Sequence, residues 1–308
     1  MKSPEIKRVG IVGAGTMGTR IAFQCALSGK EVYLFDISPQ VLDQAMEMTK
    51  GWITERADPE RAAPAVSLLH PCTSLGDCLA SVDLVIETVP EDLELKRQVF
   101  SEIDQLAPAH VLIGTNSSSL PSSRIAGATG RPDKVFNINF NDPLCDELLV
   151  EIMGHAETAE ETMAAAEAFV RSIKLVPVIT KREIMGFAFN RIWRAIKKEA
   201  LHVVAAGYAD FEDMDRAWML SFSVPRGPFG RMDEIGLDVI HHIELQYYLE
   251  SGDESDKPPK FLEEFLAEGR LGVKSGKGFY SYPNPEYKQP GWLRKEAPWR
   301  PEQSIKLD

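Results

Sequence analysis

Cysteine is scarce. Four in 308 residues, at positions 25, 72, 78 and 145, lie far apart and form no C-x-x-C pair. That argues against both a disulfide framework and a structural zinc site, and it fits a reducing, cytoplasmic setting. Long apolar runs are missing too: none approaches the ~20 residues a membrane helix needs. Residues 1–15 lack the apolar core and small-residue cleavage site of a secretory leader, so neither export nor a membrane partner is expected. Positive charge is in deficit, with 34 Lys and Arg against 46 Asp and Glu and a net charge of −12. That balance argues against nucleic acid as the main partner. No His, Cys, Asp and Glu grouping has metal-ligand spacing, so no metal is expected. There is no internal repeat and no low-complexity tract. A hydrophobic share of 44% excludes global disorder, and the length suggests about two domains.

Over the first 180 residues, apolar runs alternate with helical patterns. Residues 9–12, 31–36, 82–87 and 110–114 read as strands, with helices between them, the first over Met17–Leu27. Ser38 suits an N-cap and Pro39 the first helical position. Such runs imply a parallel sheet covered on both faces, joined by right-handed crossovers. Two further strands, 134–140 and 148–153, form a hairpin if the turn centres on Cys145, which sets Asn139 opposite Glu151. Period-two alternation then puts Asn137, Asn139 and Asn141 on one face. A helix over 158–172 and a strand over 175–179 follow. Beyond Thr180 strands cease, and 183–206, 211–220, 236–249 and 260–268 read as helices. The fold class is therefore α/β. Residues 1–180 form a Rossmann-type, doubly wound, mainly parallel sheet and residues 181–283 an all-helical domain. Residues 284–308 read as an extended arm rich in proline, charge and tryptophan.

Gly13-Ala14-Gly15-Thr16-Met17-Gly18 is a G-x-G-x-x-G placed between the first strand and the first helix, and Asp36 ends the second strand. In that context the motif reads as a dinucleotide site. The first glycine permits a tight turn, the second admits the pyrophosphate, and the third lets helix and strand pack closely. Thr16 and Met17 open the helix whose N-terminus attracts phosphate. Asp36 would accept hydrogen bonds from the adenosine ribose hydroxyls and repel a 2′-phosphate, which favours NAD over NADP. A glycine turn with no ligand is the plainer reading, but it leaves the coincidence of strand, helix and acid unexplained.

Further motifs run in order along the chain: Glu87-Thr-Val-Pro-Glu91 with Lys96, Asn116-Ser-Ser-Ser-Leu120, Leu149-Val-Glu151 and Gly186-Phe-Ala-Phe-Asn190-Arg191. Pro225-Arg-Gly-Pro-Phe229 and Leu271-Gly-Val-Lys274-Ser-Gly-Lys-Gly-Phe279 complete the set. Together with the glycine turn they resemble the 3-hydroxyacyl-CoA dehydrogenase family over roughly residues 5–282. The resemblance implies an NAD-binding domain, then a helical domain that dimerises, with the active site in the cleft between them. By the same resemblance Glu91, Lys96, Ser118 and Lys274 would contact NAD, and Ser118 and Asn190 would hold the substrate oxygen.

The sequence departs from the family at the reaction centre. The family's general base is a histidine oriented by a glutamate on the neighbouring strand. The glutamate is present as Glu151, but Asn139 occupies the histidine position, and an amide cannot serve as a base near neutral pH. Asp142 stands where the family has an asparagine, beside the cofactor. Trp52 and Pro59 occupy the positions of residues that help hold CoA. Arg194 follows Asn190 by one helical turn and Arg226 replaces a methionine. Either could pair with a substrate carboxylate or phosphate, or could serve only a solvated face or an interface. Trp193 is a third candidate for substrate contact.

Three readings remain open at this stage. The first is an NAD-dependent dehydrogenase oxidising a 3-hydroxy acid or its CoA or related thioester, with Asp142 or Glu151 as base. The second is a catalytically impaired, NAD-binding relative acting as a partner or sensor. The third is a different reaction on an NAD-activated intermediate.

Overall fold

Strands of four to six residues, cut off by glycine, proline or acid, leave little choice but a sheet whose helices lie across it. The computed structural model describes residues 5–141 and 148–294. They divide into two units that part between Phe189 and Asn190.

The first unit contains β1 (Arg8–Val12), α1 (Thr16–Leu27), β2 (Glu31–Phe35), α2 (Pro39–Arg56), α3 (Pro59–Ser67), β3 (Leu69–Pro71) and α4 (Leu75–Leu79). It continues through β4 (Leu84–Glu87), α5 (Leu93–Leu106), β5 (Leu112–Thr115), α6 (Ser123–Ala126), β6 (Val135–Phe140), β7 (Leu149–Met153), α7 (Glu160–Ser172) and β8 (Val176–Thr180). The sheet order is β3-β2-β1-β4-β5-β6-β7-β8; β6 and β7 pair antiparallel and every other neighbouring pair is parallel, so β7 and β8 run against the first six strands. This is the doubly wound arrangement expected from the sequence. Apolar side chains fill both faces: Ile11, Ile21, Leu34 and Ile86 belong to one cluster, Val12, Val85, Phe100 and Ile113 to the other. Ser38 caps α2 as anticipated, its hydroxyl accepting from the Val41 N–H, with Pro39 in the first turn. Trp52, on α2, packs edge-on against Phe23 with ring centroids 6.2 Å apart. In the hairpin, Asn139 pairs with Glu151, as its predicted centre requires. Both faces of this hairpin are buried, every residue of β6 and four of the five of β7.

Two boundaries differ from expectation. The helix anticipated from Glu183 starts only with α8 (Ala188–Ala205). Gly186 (φ 76°) and Phe187 (φ 56°) hold a left-handed turn through which no right-handed helix continues. Residues 284–294 also depart from an extended arm. They form two 3₁₀ turns, Glu286–Lys288 and Trp292–Arg294, and Tyr287 buries its ring edge-on to Tyr280 at 4.9 Å. Residues 295–308 lie outside the described residues.

The second unit is helical, with α9 (Phe211–Phe222), α10 (Pro228–Ile235), α11 (Leu237–Ser251) and α12 (Lys260–Ala267) after α8. Its core contains Leu201, Met219, Phe229, Leu237 and Tyr280, and the unit also buries the carboxylates of Asp215, Asp233 and Glu244. Asp215 on α9 accepts from the Phe229 and Gly230 N–H groups at 2.8 and 2.9 Å and from the Tyr280 hydroxyl at 3.0 Å. It thereby caps α10, whose own cap residue Gly227 offers no side chain. A Cβ at Gly227 would stand 2.4 Å from Asp215 Oδ1, so the Pro-Arg-Gly-Pro motif is a seat for this carboxylate. Asp233 likewise accepts from the Phe279 and Tyr280 N–H groups and from the Tyr282 hydroxyl.

Burial pushes the Asp215 pKa up to about 6, against the pull of its three donors. The folded state therefore favours the protonated acid. That contribution is complete below the ordinary carboxylate value of about 4 and is lost as pH rises through about 6. Asp215→Ala would strand three buried donors, so we expect a loss of about 3–5 kcal/mol. Urea titrations from pH 4 to 7 check both the loss and the flattening of this pH dependence.

Candidate active site

The glycine turn is built by contacts that leave no room for side chains at Gly13 and Gly18. Gly13 has φ 104° and donates its N–H to the Phe35 carbonyl at 2.8 Å. A Cβ on Gly18 would fall 1.9 Å from the Gly13 carbonyl oxygen, whereas one on Gly15 would meet nothing within 4 Å. The turn is thus closed toward the sheet and open on its outer side, where a pyrophosphate can approach. Gly15 caps α1 without a side-chain hydrogen bond, leaving the first-turn N–H groups free to bind an anion. Exposed Thr16 and half-buried Met17 occupy that first turn. Asp36 braces the turn from β2: Oδ2 accepts from the Ala14 N–H at 2.8 Å and Oδ1 from the Ser38 N–H at 2.9 Å. Lone pairs remain on both oxygens for ribose hydroxyls, and the same carboxylate opposes a 2′-phosphate. These residues fit NAD.

At the ends of β4 and β5 lies a charged cluster built on Lys96, Glu87 and Glu91, with hydroxyls from β5 and the loop after it. Lys96 is buried and bonds Glu87 at 2.7 Å, Glu91 at 3.3 Å and the Val89 carbonyl at 3.2 Å. Thr115 donates its hydroxyl to Glu87 at 2.7 Å. Ser117 and Ser119 both donate hydroxyls to Glu91. Burial raises the Glu87 pKa against these partners. Burial would raise Glu91 as well, but the two serines and Lys96 together hold it below the ordinary value. Glu87, Thr115 and Ser117 had no assigned role in the sequence reading. The available signal was an acid inside a wholly apolar strand, which must find a partner. Ser118, between them, is exposed.

On β6 and β7, Asn139 (4% exposed) and Glu151 (0%) face one another across the ladder. Glu151 Oε1 accepts from the Phe189 N–H at 3.0 Å. Its Oε2 is buried and has no hydrogen-bond partner among the described residues. Burial raises the Glu151 pKa, the Phe189 N–H and the Asn139 side chain opposing it. Of the two base candidates, Asp142 and Glu151, this carboxyl is the one that lies among the described residues. Asn137, on the same face, is engaged elsewhere, accepting from the Ser122 N–H and donating to the Leu120 carbonyl. Asp142, the other base candidate and a proposed cofactor contact, lies outside the described residues. His155 does not repair the dyad, because β7 ends at Met153 and His155 sits in the following turn, its Nδ1 accepting from the Glu157 N–H.

The remaining candidates belong to the helical unit. Asn190 is on the first turn of α8. Trp193 packs against the unit's apolar core. Arg194 bonds Asp256 at 2.7 Å, lies 3.5 Å from Glu244 and stacks 3.7 Å over Tyr247. Arg226 pairs with Glu234 at 2.9 Å and Lys274 with Asp238 at 2.6 Å. All three cations therefore have internal carboxylate partners.

A glycine turn braced by an acid, at the carboxyl end of β1 in a doubly wound sheet, defines a dinucleotide-binding protein. Residues 8–184 match the 3-hydroxyacyl-CoA dehydrogenase NAD binding domain and residues 186–282 the C-terminal domain of the same enzymes. The chain belongs to the 3-hydroxyacyl-CoA dehydrogenase family and is an NAD-dependent oxidoreductase. It is similar to a 3-hydroxybutyryl-CoA dehydrogenase of Mycobacterium tuberculosis, with 34% identity over 91% of this chain and 100% of that one. It is similar also to a 5-formyl-3-hydroxy-2-methylpyridine 4-carboxylate 5-dehydrogenase of Mesorhizobium japonicum, with 29% identity over 90% and 91%. Among solved structures, the (S)-3-hydroxybutyryl-CoA dehydrogenase PaaH1 of Ralstonia eutropha superposes with a TM-score of 0.81 at 32% identity, covering 90% of this chain and 99% of that one. No helix among the described residues is long and apolar enough to cross a membrane.

Proposed function

We propose that this protein oxidises the 3-hydroxyl of an acid, or of its CoA or related thioester, with Glu151 taking the hydroxyl proton in place of the family's histidine. The observation that carries the reading is the Glu151 carboxyl: buried, raised in pKa, anchored through one oxygen to the Phe189 N–H and facing Asn139, with no hydrogen-bond partner on its other oxygen among the described residues. NAD, when bound, accepts the hydride from the hydroxyl-bearing carbon. Glu151 Oε2 receives the proton, and desolvation makes a carboxylate basic enough for that work. Asn139 hydrogen-bonds the substrate oxygen, with Ser118 and Asn190 as further donors. The glycine turn, Asp36, Glu91, Lys96 and Lys274 hold the cofactor. Arg194 and Arg226 serve as internal ion-pair partners. The chain works as a homodimer through its helical unit. A free or unusual acid suits the chain, since Trp52 packs inward where the family helps hold CoA. One relative is also named for a pyridine carboxylate rather than a CoA ester.

NADH formation from 3-hydroxybutyryl-CoA and from free 3-hydroxy acids tests this directly. Asn139→His should raise kcat on a 3-hydroxyacyl thioester by about 10–100-fold, because it restores a positioned imidazole beside Glu151. Tight NAD binding with no NADH from any substrate offered would instead favour the binding or sensor role, which the amide at position 139 supports.

A further inference from the structure

After β5 the chain runs to α6 through the loop 116–122, and that loop is fastened from two sides. On one side is Glu91, which accepts the hydroxyls of Ser117 and Ser119. On the other is β6. The Asn116 side-chain oxygen accepts from the Phe140 N–H at 2.9 Å. Asn137 makes three more ties. Its Oδ1 accepts from the Ser122 N–H at 2.7 Å, and its Nδ2 donates to the Leu120 carbonyl at 2.9 Å and to the Ser117 carbonyl at 3.4 Å. Within the loop, the Leu120 N–H donates to the Ser117 hydroxyl at 2.8 Å. Ser118 is the residue these fastenings leave out: it is exposed, and its hydroxyl bonds to no other described residue.

Asn137 is fully buried and stands two residues before Asn139 on the same face of β6. Its surroundings ask for an amide. One backbone N–H needs an acceptor and two carbonyls need donors, and the side chain of asparagine supplies both kinds. A carboxylate would bring no donor, and an aliphatic side chain would leave all three backbone groups unpaired in a buried place. Holding a loop to a sheet is a sufficient structural reason for such a residue. What points further is where the ties fall. The Ser117 carbonyl belongs to the peptide that leads into Ser118, and the Leu120 carbonyl and Ser122 N–H lie just beyond it, so Asn137 fixes the backbone on both sides of that one free hydroxyl.

We propose that Asn137 is the positioning residue for Ser118: it holds the loop so that the Ser118 hydroxyl meets the substrate oxygen at a set place. Asn137 acts through the loop and touches neither substrate nor cofactor. The inference rests on the role given to Ser118 above. A donor already aimed before the substrate arrives needs no reordering during the reaction, which is where such hydrogen bonds gain their effect. Displacing it by about 1 Å can cost on the order of 10²-fold in rate. Asn137 and Asn139 thus divide the labour along one strand face: the first sets a donor on the neighbouring loop, the second faces Glu151.

The test is a double-mutant cycle in the full chain: the parent, Asn137→Ala, Ser118→Ala and the two together. Two quantities are read: kcat/KM for 3-hydroxybutyryl-CoA with NAD, and hydrogen exchange of the peptide spanning 116–122 without substrate. Ser118→Ala should lower kcat/KM by about 10²-fold. Asn137→Ala should lower it by about 10–10²-fold. In the Ser118→Ala background, Asn137→Ala should cost less than about threefold more, because the hydroxyl it places is already gone. A purely structural residue would multiply the two losses. Exchange over 116–122 should quicken in Asn137→Ala and hold in Ser118→Ala. Multiplicative losses, or an Asn137→Ala variant as fast as the parent beside a slow Ser118→Ala, overturn the proposal alone. Ser118→Ala at the parent's rate overturns the role of Ser118 and the proposal with it. Unchanged exchange in Asn137→Ala overturns the proposal whether or not this thioester is turned over. If Asn137→Ala folds poorly, Asn137→Ser, which keeps one hydroxyl in the buried space, runs the same cycle with the same outcomes.

Discussion

Glu151→Gln should lower kcat by about 10²–10⁴-fold, equivalent to about 3–5 kcal/mol of barrier. Glutamine retains the oxygen that accepts from the Phe189 N–H, so the geometry at the start of α8 persists while the proton acceptor is gone. The pH profile separates loss of a base from loss of shape. A base acts when deprotonated, so kcat/KM of the unsubstituted enzyme should fall on the acid side, through a pKa above the ordinary carboxylate range because the group is buried. In Glu151→Gln that limb should vanish and NAD affinity should hold. Turnover within about threefold of the parent would show that Glu151 is not the base. An acid limb surviving in the variant would show that some other group sets it.

Lys96→Met should destabilise the first unit by about 3–5 kcal/mol, because it leaves the Glu87 carboxylate buried without its countercharge. Glu87 is 0% exposed and bonds Lys96 at 2.7 Å. With the ammonium removed, the already raised Glu87 pKa rises further. The folded variant then prefers the neutral acid, so its stability is greatest below the ordinary carboxylate value and declines as pH rises through the raised one. Adding Glu87→Gln should recover part of the loss, since an uncharged pair has no such penalty. Urea titrations of the parent, the single and the double variant measure the coupling. Equal stability of Lys96→Met and the parent would mean that Glu87 finds another partner. NAD affinity should also fall, through Glu91, whose carboxylate Lys96 helps to hold charged.

How far the sequence reached depends on the range over which each feature is determined. The glycine turn and Asp36 were legible because a strand, a tight turn and a helix start are local events with distinctive residue requirements. The Asn139 and Glu151 pairing was legible because two adjacent strands close in sequence form a hairpin, and centring it on Cys145 sets those two residues opposite one another. The start of α8 was not: helical periodicity runs on through residues 183–187, and only the positive φ angles of Gly186 and Phe187 reveal the interruption. The arginines illustrate the same limit. Arg194 reads as a free cation one turn from Asn190, yet its carboxylates, Glu244 and Asp256, lie 50 and 62 residues away.

The sequence by itself therefore determined the doubly wound sheet, the dinucleotide turn and the family, because strand and helix periodicity, glycine sterics and side-chain chemistry act over a few residues. Only the tertiary structure decided which charges are spent on one another. It buried Glu87 with Lys96, seated Asp215 under α10 and anchored Glu151 on the Phe189 N–H. Burial and pairing depend on residues far apart in the chain arriving at one point, and no local pattern encodes that arrival.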